Sequence, residues 1–235
     1  MSSEEAKGAL GQKHSRSAGN GKGYATFTDP QMVRFQPDLS EHTDLSRFSD
    51  PPWHAVLDVP RALSLISADS TIAGMFFLAV LEAAKRRSVA LSVKRERYLP
   101  FGFYPVAEFA PLLVTAAGLF HPTLSLRQGL RAIGSVGPAV LAKSVLGKVT
   151  LGSAIGVHAV IEAIANTYAV NIRNSSCTVT HQSAQACIVN LDNVQHFLNS
   201  HHIGVFEGTL SHAGVKGRVR IASRSEFSAE LLLEW

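Results

Sequence analysis

The sequence predicts an α+β fold, a helical bundle layer packed on a four-stranded antiparallel sheet, with the order strand, strand, helix, strand, strand at the C-terminus. Three observations carry this prediction. Before Asn174 the apolar residues recur at spacings of three and four, the period of an amphipathic helix. After Asn174 they alternate, the period of a half-buried strand. One helical stretch, "NVQHFLNSHHIGVFEGTLSHAG", interrupts the alternation and divides the strands into two pairs. With 235 residues, 46% of them hydrophobic and 17% charged, the chain is long enough for one sizeable core.

Residues 1–23, rich in Ser, Gly and Lys, hold too few apolar groups to offset their ordering entropy and are expected to be a disordered tail. Residues 24–56 are polar, with Pro30, Pro37, Pro51 and Pro52 and the aromatics Phe27, Phe35 and Phe48. They read as an extended arm laid over a single α+β domain at 57–235. That domain opens with "DVPRALSLI", where Asp58 serves as N-cap, Pro60 sits in the first turn, and Leu63 and Ile66 form a short apolar face. A central helix follows, capped by Ser70 or Thr71. Its inward residues are Ile72, Met75, Phe76, Ala79, Val80 and Ala83, and Lys85–Arg87 suit its negative end.

In "RYLPFGFYPVAEF", Pro100 and Pro105 forbid a continuous helix, so "RYLPFGFY" is predicted to be a loop whose Tyr98, Phe101, Phe103 and Tyr104 anchor it. A helix kinked by Pro111 then runs from Pro105. Gly134 and Gly137 separate a short capped helix in "HPTLSLRQGLRAIG" from a second beginning at Pro138, and "IGVHAVIEAIANTYAVN" supplies another. "SSCTVTH" and "AQACIVNLD" form a hairpin turning at Gln182–Ala184, with Cys177, Val179, Cys187, Val189 and Leu191 inward. The interrupting helix is capped by Asp192 or Asn193 and closed by Gly214. "KGRVRIAS" and "EFSAELLLEW" complete the sheet.

The net charge is +4, and half of it belongs to the tail, where Lys7, Lys13, Arg16 and Lys22 face only Glu4 and Glu5. A solvated basic tail accounts for this excess, and no nucleic-acid partner is expected. The first residues lack the apolar core of a secretory signal, so a cytoplasmic location is expected. The longest apolar stretches fall short of the roughly 20 residues of a membrane span, so no transmembrane segment is expected. Cys177 and Cys187 read as small core hydrophobes.

His201 and His202, adjacent on a helix, point about 100° apart. His158 and Glu162 stand at i and i+4 without a second pair of ligand-type residues near them in sequence. No metal site is assigned. No phosphate loop or nucleophile elbow is present, and no acid, base and nucleophile converge, so no cofactor and no catalytic residue are assigned. "IGVFEGTL" stands out because Gly204 and Gly208 flank Glu207 and leave a helix face bare enough for a second backbone to approach.

"STIAGMFFLAVLEAA", "RYLPFGFYPVAEFAPLLVTAAGLFHPTLSLRQGLRAIG", "AKSVLGKVTLG" and "HHIGVFEGTLSHAGVKGRVRI" through "SAELLLEW" resemble the uncharacterised myxobacterial paralogous family, a domain of unknown function, over about Leu57 to Trp235. The ending of helix, FEG, strand, strand is similar to the superfamily of the TRAPP trafficking subunits, the 4-vinyl-reductase-type ligand-binding domain and the haem-nitric-oxide sensor domain. The chain departs from that pattern in three ways. Ile221–Ser223 and Ala229–Leu231 stand where the 4-vinyl-reductase type often has paired Cys, no Tyr-x-Ser-x-Arg motif is present, and His158 is only a nominal haem ligand. The resemblance implies a small sensor or scaffold that often dimerises and is not an enzyme.

The reading is therefore a cytoplasmic, non-enzymatic binding module that senses an apolar small molecule in a cleft between helices and sheet, or docks a protein partner in a signalling role. The alternative is a homodimeric assembly subunit without ligand. The candidate contact residues are Phe101, Phe103, Tyr104, Gly204, Glu207 and Gly208.

Overall fold

A computed structural model describes residues 44–235, all within the compact unit Phe35–Trp235. The tail at 1–23 and most of the arm at 24–56 lie outside the described residues. Asp58 caps α1 (Val59–Ser64) by accepting from the Arg61 amide at 3.0 Å, with Pro60 in the first turn. The expected side-chain cap at Ser70 or Thr71 is not formed. Thr71–Ala73 is instead a short strand, β1, antiparallel to β2 (Phe103–Pro105), with Ile72 opposite Tyr104. The loop expected over "RYLPFGFY" is thus part strand.

Helix α2 (Gly74–Arg86) has no side-chain cap. Its first amides donate to the Gly102 carbonyl at 2.7 Å and the Pro100 carbonyl at 2.9 Å, so the loop satisfies the helix end that a cap would otherwise serve. Gly74 is required there, because a Cβ would collide with the Leu99 carbonyl and the Tyr104 ring. Tyr98 is buried and stacks on Phe77 with centroids 4.2 Å apart.

Helix α3 (Val106–Phe120) carries Pro111 inside it, and α4 runs unbroken from Leu126 to Lys143. Ser125 and Gln128 form a reciprocal capping box at the start of α4. The separation expected at Gly134 and Gly137 is absent. Gly134 is small because another backbone, at His201 and Val205, lies against it, and that packing outweighs the helix-weakening residues. Two further helices follow, α5 (Val145–Thr150) and α6 (Val157–Asn171).

The C-terminal half is β3 (Ser176–Ser183), β4 (Ala186–Asp192), α7 (Ile203–His212), β5 (Arg218–Ser223) and β6 (Ala229–Glu234), with all strands antiparallel in the order β3-β4-β6-β5. The hairpin turns at Ala184–Gln185, beyond the expected Gln182–Ala184, because the register shifts between His181 and Ser183. The inner face presents Cys187, Val189, Leu191, Ile221, Leu231 and Leu233 to the helices. On the outer face Phe48 packs over Ile188 and Leu232, and Ser49 bridges to Ile221.

The helix expected from Asn193 begins ten residues later. Asn193 and Phe197 adopt left-handed φ angles of 52° and 49°, and a π-helical turn at Leu198–His202 precedes α7. Among the described residues no helix is long and apolar enough to cross a membrane.

Phe101 corrects the expected anchoring role, since it is 71% exposed. Its ring follows a tight turn in which the Gly102 amide donates to the Leu99 carbonyl, and that turn aims it outward. Tyr98→Ala should therefore cost about 3–5 kcal/mol of unfolding free energy in urea, and Phe101→Ala less than about 0.5 kcal/mol. Equal losses at the two sites would contradict this placement.

Candidate functional site

A cavity of about 600 Å³ lies among α2, α3, α4, α6 and the π-helical turn. No residue of β3 to β6 lines it, so the cleft expected between helices and sheet is instead a space within the helical layer. Met75, Phe76, Ala79 and Ala83, expected in the packed core, line the cavity, whereas α2 packs Gly74, Phe77 and Ala84 away from it and Val80 is both buried and on the lining. A helix that must be apolar towards both its neighbours and a cavity shows a wide apolar arc, and spacing alone does not divide that arc. Phe109 and Leu113 of α3, Ile133 and Leu141 of α4, and Ile164 of α6 complete the apolar walls. Exposed Glu82, Arg87, Val136 and Val140 stand where the cavity reaches the surface.

Deep in the wall lies a group of three histidines. His196, His201 and His202 have ring centroids 4.5–5.7 Å apart, and all three line the cavity. His196 and His202 are buried and His201 is part-buried. Nδ1 of His196, Nδ1 of His201 and Nε2 of His202 make no hydrogen bond and are closed to solvent. On its other side His202 Nδ1 meets the Tyr168 hydroxyl at 2.7 Å.

Burial pushes His196 down to about 3, helped by His201, and pushes His201 down to about 4 against a weak opposing pull from the Leu130 carbonyl. Burial holds His202 well below the ordinary histidine range, with His196 and His201 adding to it and the His196 carbonyl opposing. Burial likewise holds Tyr168 in its neutral form. The cluster is therefore uncharged at neutral pH.

The residues expected to make contacts fall into two groups, and neither lines the cavity. Phe101, Phe103 and Tyr104 belong to the β2 turn, where the Arg173 guanidinium lies 4.2 Å over the Phe103 ring and the Tyr104 hydroxyl accepts from the Leu99 amide at 2.8 Å. Gly204 and Gly208 are pressed against the backbone of α4 at Arg131 and Ser135. Beside them Glu207 accepts both hydrogen bonds of a bidentate pair from Arg131, each 2.6 Å long.

A second polar chain lies apart from the cavity. His181 contacts Glu162 Oε1 through Nε2 at 2.6 Å and His158 Nδ1 through Nδ1 at 2.6 Å, and the His158 ring packs edge-on against Trp235. The hairpin thus supplies His181 to the His158 and Glu162 pair from a distance in sequence. The cysteines are free, and burial pushes Cys187 up to about 12. Sequence reasoning set His201 and His202 aside because an α-helix would splay them. The π-helical turn brings them together, and the available signal was three His within the seven residues of "HFLNSHH".

A family model described as "Protein of unknown function (DUF2378)" matches residues 65–235. No curated protein matches the chain. Among solved structures, the unliganded Fe(II) H-NOX protein of K. algicida shares 12% identity over 69% of this chain and 96% of its own, with a TM-score of 0.53. A mutant H-NOX protein of S. oneidensis in the Fe(II) ligation state shares 10% identity over 69% of this chain and 95% of its own, with a TM-score of 0.51. A structure concerned with haem distortion in the H-NOX family shares 9% identity over 70% of this chain and 95% of its own, with a TM-score of 0.52. Likeness at these identities is one of fold.

Haem, named with that fold, does not match the lining of this cavity. The Tyr168 hydroxyl finds only His202 Nδ1 as a partner among the described residues. Where it donates to that nitrogen, the imidazole proton sits on Nε2, which then is a donor and not an iron ligand. Arg87 is the sole Lys or Arg among the described lining residues, with Glu82 also on the lining, so the carboxylates of a haem would lack cationic partners. His158 lies outside the cavity, and among the described residues no three His, Cys, Asp or Glu are grouped to hold a metal ion.

Proposed function

The chain belongs to a family of proteins of unknown function, DUF2378, and from that premise we propose that it is a non-enzymatic ligand-sensing module that binds an apolar small molecule within its helical layer. One observation carries the reading, the cavity of about 600 Å³ whose walls are almost wholly apolar side chains. Its volume falls in the range of about 300–1,000 Å³ typical of small-molecule sites. The fold shared with H-NOX structures supports a sensing role, and the lining of this chain points to an organic ligand.

Filling the space tests the reading. Ala79→Trp places a large ring where a methyl now meets the cavity, so it should abolish uptake of an apolar fluorescent dye such as N-phenylnaphthylamine while leaving the fold intact by circular dichroism. Undiminished dye binding by the folded variant would show that the cavity is not the site.

A further inference from the structure

We propose that the ligand is an elongated apolar molecule carrying one uncharged hydrogen-bond acceptor, a carbonyl or ether oxygen, at the end that meets His196, His201 and His202. This rests on the cavity being the ligand site. The shape follows from helix arithmetic. The cavity is lined by α2 and its C-cap from Met75 to Arg87, which at 1.5 Å per residue is about 18 Å. Its two ends differ in chemistry. At one end the His196 ring packs edge-on against Phe109, which also contacts Phe76 in the first turn of α2. At the other, Arg87 lies over Phe120 at the far end of α3, and the charge of Arg87 acts on His121. The charged lining side chains, Glu82 and Arg87, are thus at the surface end.

The histidine end asks for a hydrogen-bonding partner that the chain does not supply. A buried polar atom left unpaired costs a substantial part of its hydration, and three lie together here. Where the Tyr168 hydroxyl donates to His202 Nδ1, its one partner among the described residues, the ring proton sits on Nε2 and makes that atom a donor. A carboxylate would sit there without a cation, and an ammonium without an anion, since no described lining residue near that end carries charge. An uncharged acceptor satisfies the donor at no such cost. The nitrogens are closed to solvent on residues that line the cavity, and the broad χ2 torsion of histidine lets a ring swing to meet a bound oxygen.

The test displaces N-phenylnaphthylamine from the full chain with three probes of similar length, methyl decyl ketone, dodecane and lauric acid. The ketone should compete roughly tenfold better than dodecane. His202→Phe should erase that preference, so that the ketone and dodecane compete alike. If His202→Phe does not fold, His196→Phe carries the same comparison, since its Nδ1 abandons no partner. Ketone and alkane competing equally would overturn the head-group assignment and leave the cavity reading standing, as would an unchanged preference in the folded variants. Tightest binding by lauric acid would overturn it in favour of a charged head. No binding of dye or any probe would overturn both the assignment and the reading on which it rests.

Discussion

Gly208→Leu should lower the unfolding free energy by about 3 kcal/mol, at any protein concentration, although a leucine raises helix propensity by nearly 1 kcal/mol over glycine. The loss arises because a Cβ at Gly208 would drive into the Ser135 carbonyl, and one at Gly204 into that of Arg131. From the opposite helix, Gly134 lies equally close to the His201 carbonyl. At these three glycines backbone presses on backbone, so no side chain can rotate aside to admit a Cβ. Gly118 serves as the control, since a Cβ there would meet nothing within 4 Å, and Gly118→Ala should hold or slightly raise stability. Denaturation in urea at several protein concentrations measures both. Wild-type stability for Gly208→Leu, or a loss that appears only on dilution, would contradict a contact made within one chain.

Lowering the pH from about 6.5 towards 4 should destabilise the protein steeply, before most carboxylates titrate. In the folded chain His196 and His201 are held near 3 and 4 and His202 lower than the ordinary range, whereas each returns to about 6.5 on unfolding. Between those values the unfolded chain binds more protons. Stability is therefore complete above about 6.5 and falls as the pH drops through the window, by up to roughly 1.4 kcal/mol per pH unit for each histidine. His121 and His158, also lowered by burial, act in the same direction. Urea midpoints between pH 7 and 5 test this, and His196→Phe should flatten the slope by one proton. A level profile across that range would show that the cluster is hydrated or charged in the folded state.

The fold class was legible because the hydrophobic period changes at Asn174 and is interrupted by one helical stretch, and local pattern alone reports those changes. Single residues were less legible where tertiary contacts overrode local preference. Gly134 and Pro138 read as a helix break, yet α4 continues through both, held by the close approach of α7. The helix start at Asn193 failed for a different reason, because two non-glycine residues take left-handed conformations that no local signal announces. For the site, the apolar residues of α2 were recognised but assigned to packing. Periodicity reports which way a side chain faces, and it carries no word on whether another side chain or an empty space is there. Glu207 and its flanking glycines were recognised as constrained, and the constraint is a helix contact within the chain.

Helix α4 serves two neighbours of opposite stiffness. Its middle, from Arg131 to Ser135, is clamped by the glycine contacts and the Arg131–Glu207 pair, whereas the turns beyond, from Val136 to Leu141, border the cavity. There Pro138 withholds the amide that would have bonded to the Gly134 carbonyl, and a Cβ at Gly137 would meet no atom within 4 Å. A rod gripped at its middle and weakened just beyond the grip behaves there as a cantilever. Pressure from an occupant of the cavity would deflect the part beyond the grip, carrying with it Ser144 and α5, whose Gly147 lies against the Leu141 backbone, while the clamped part and the sheet behind α7 stayed in place. The volume of a bound molecule would in this way become a displacement at the surface of the domain.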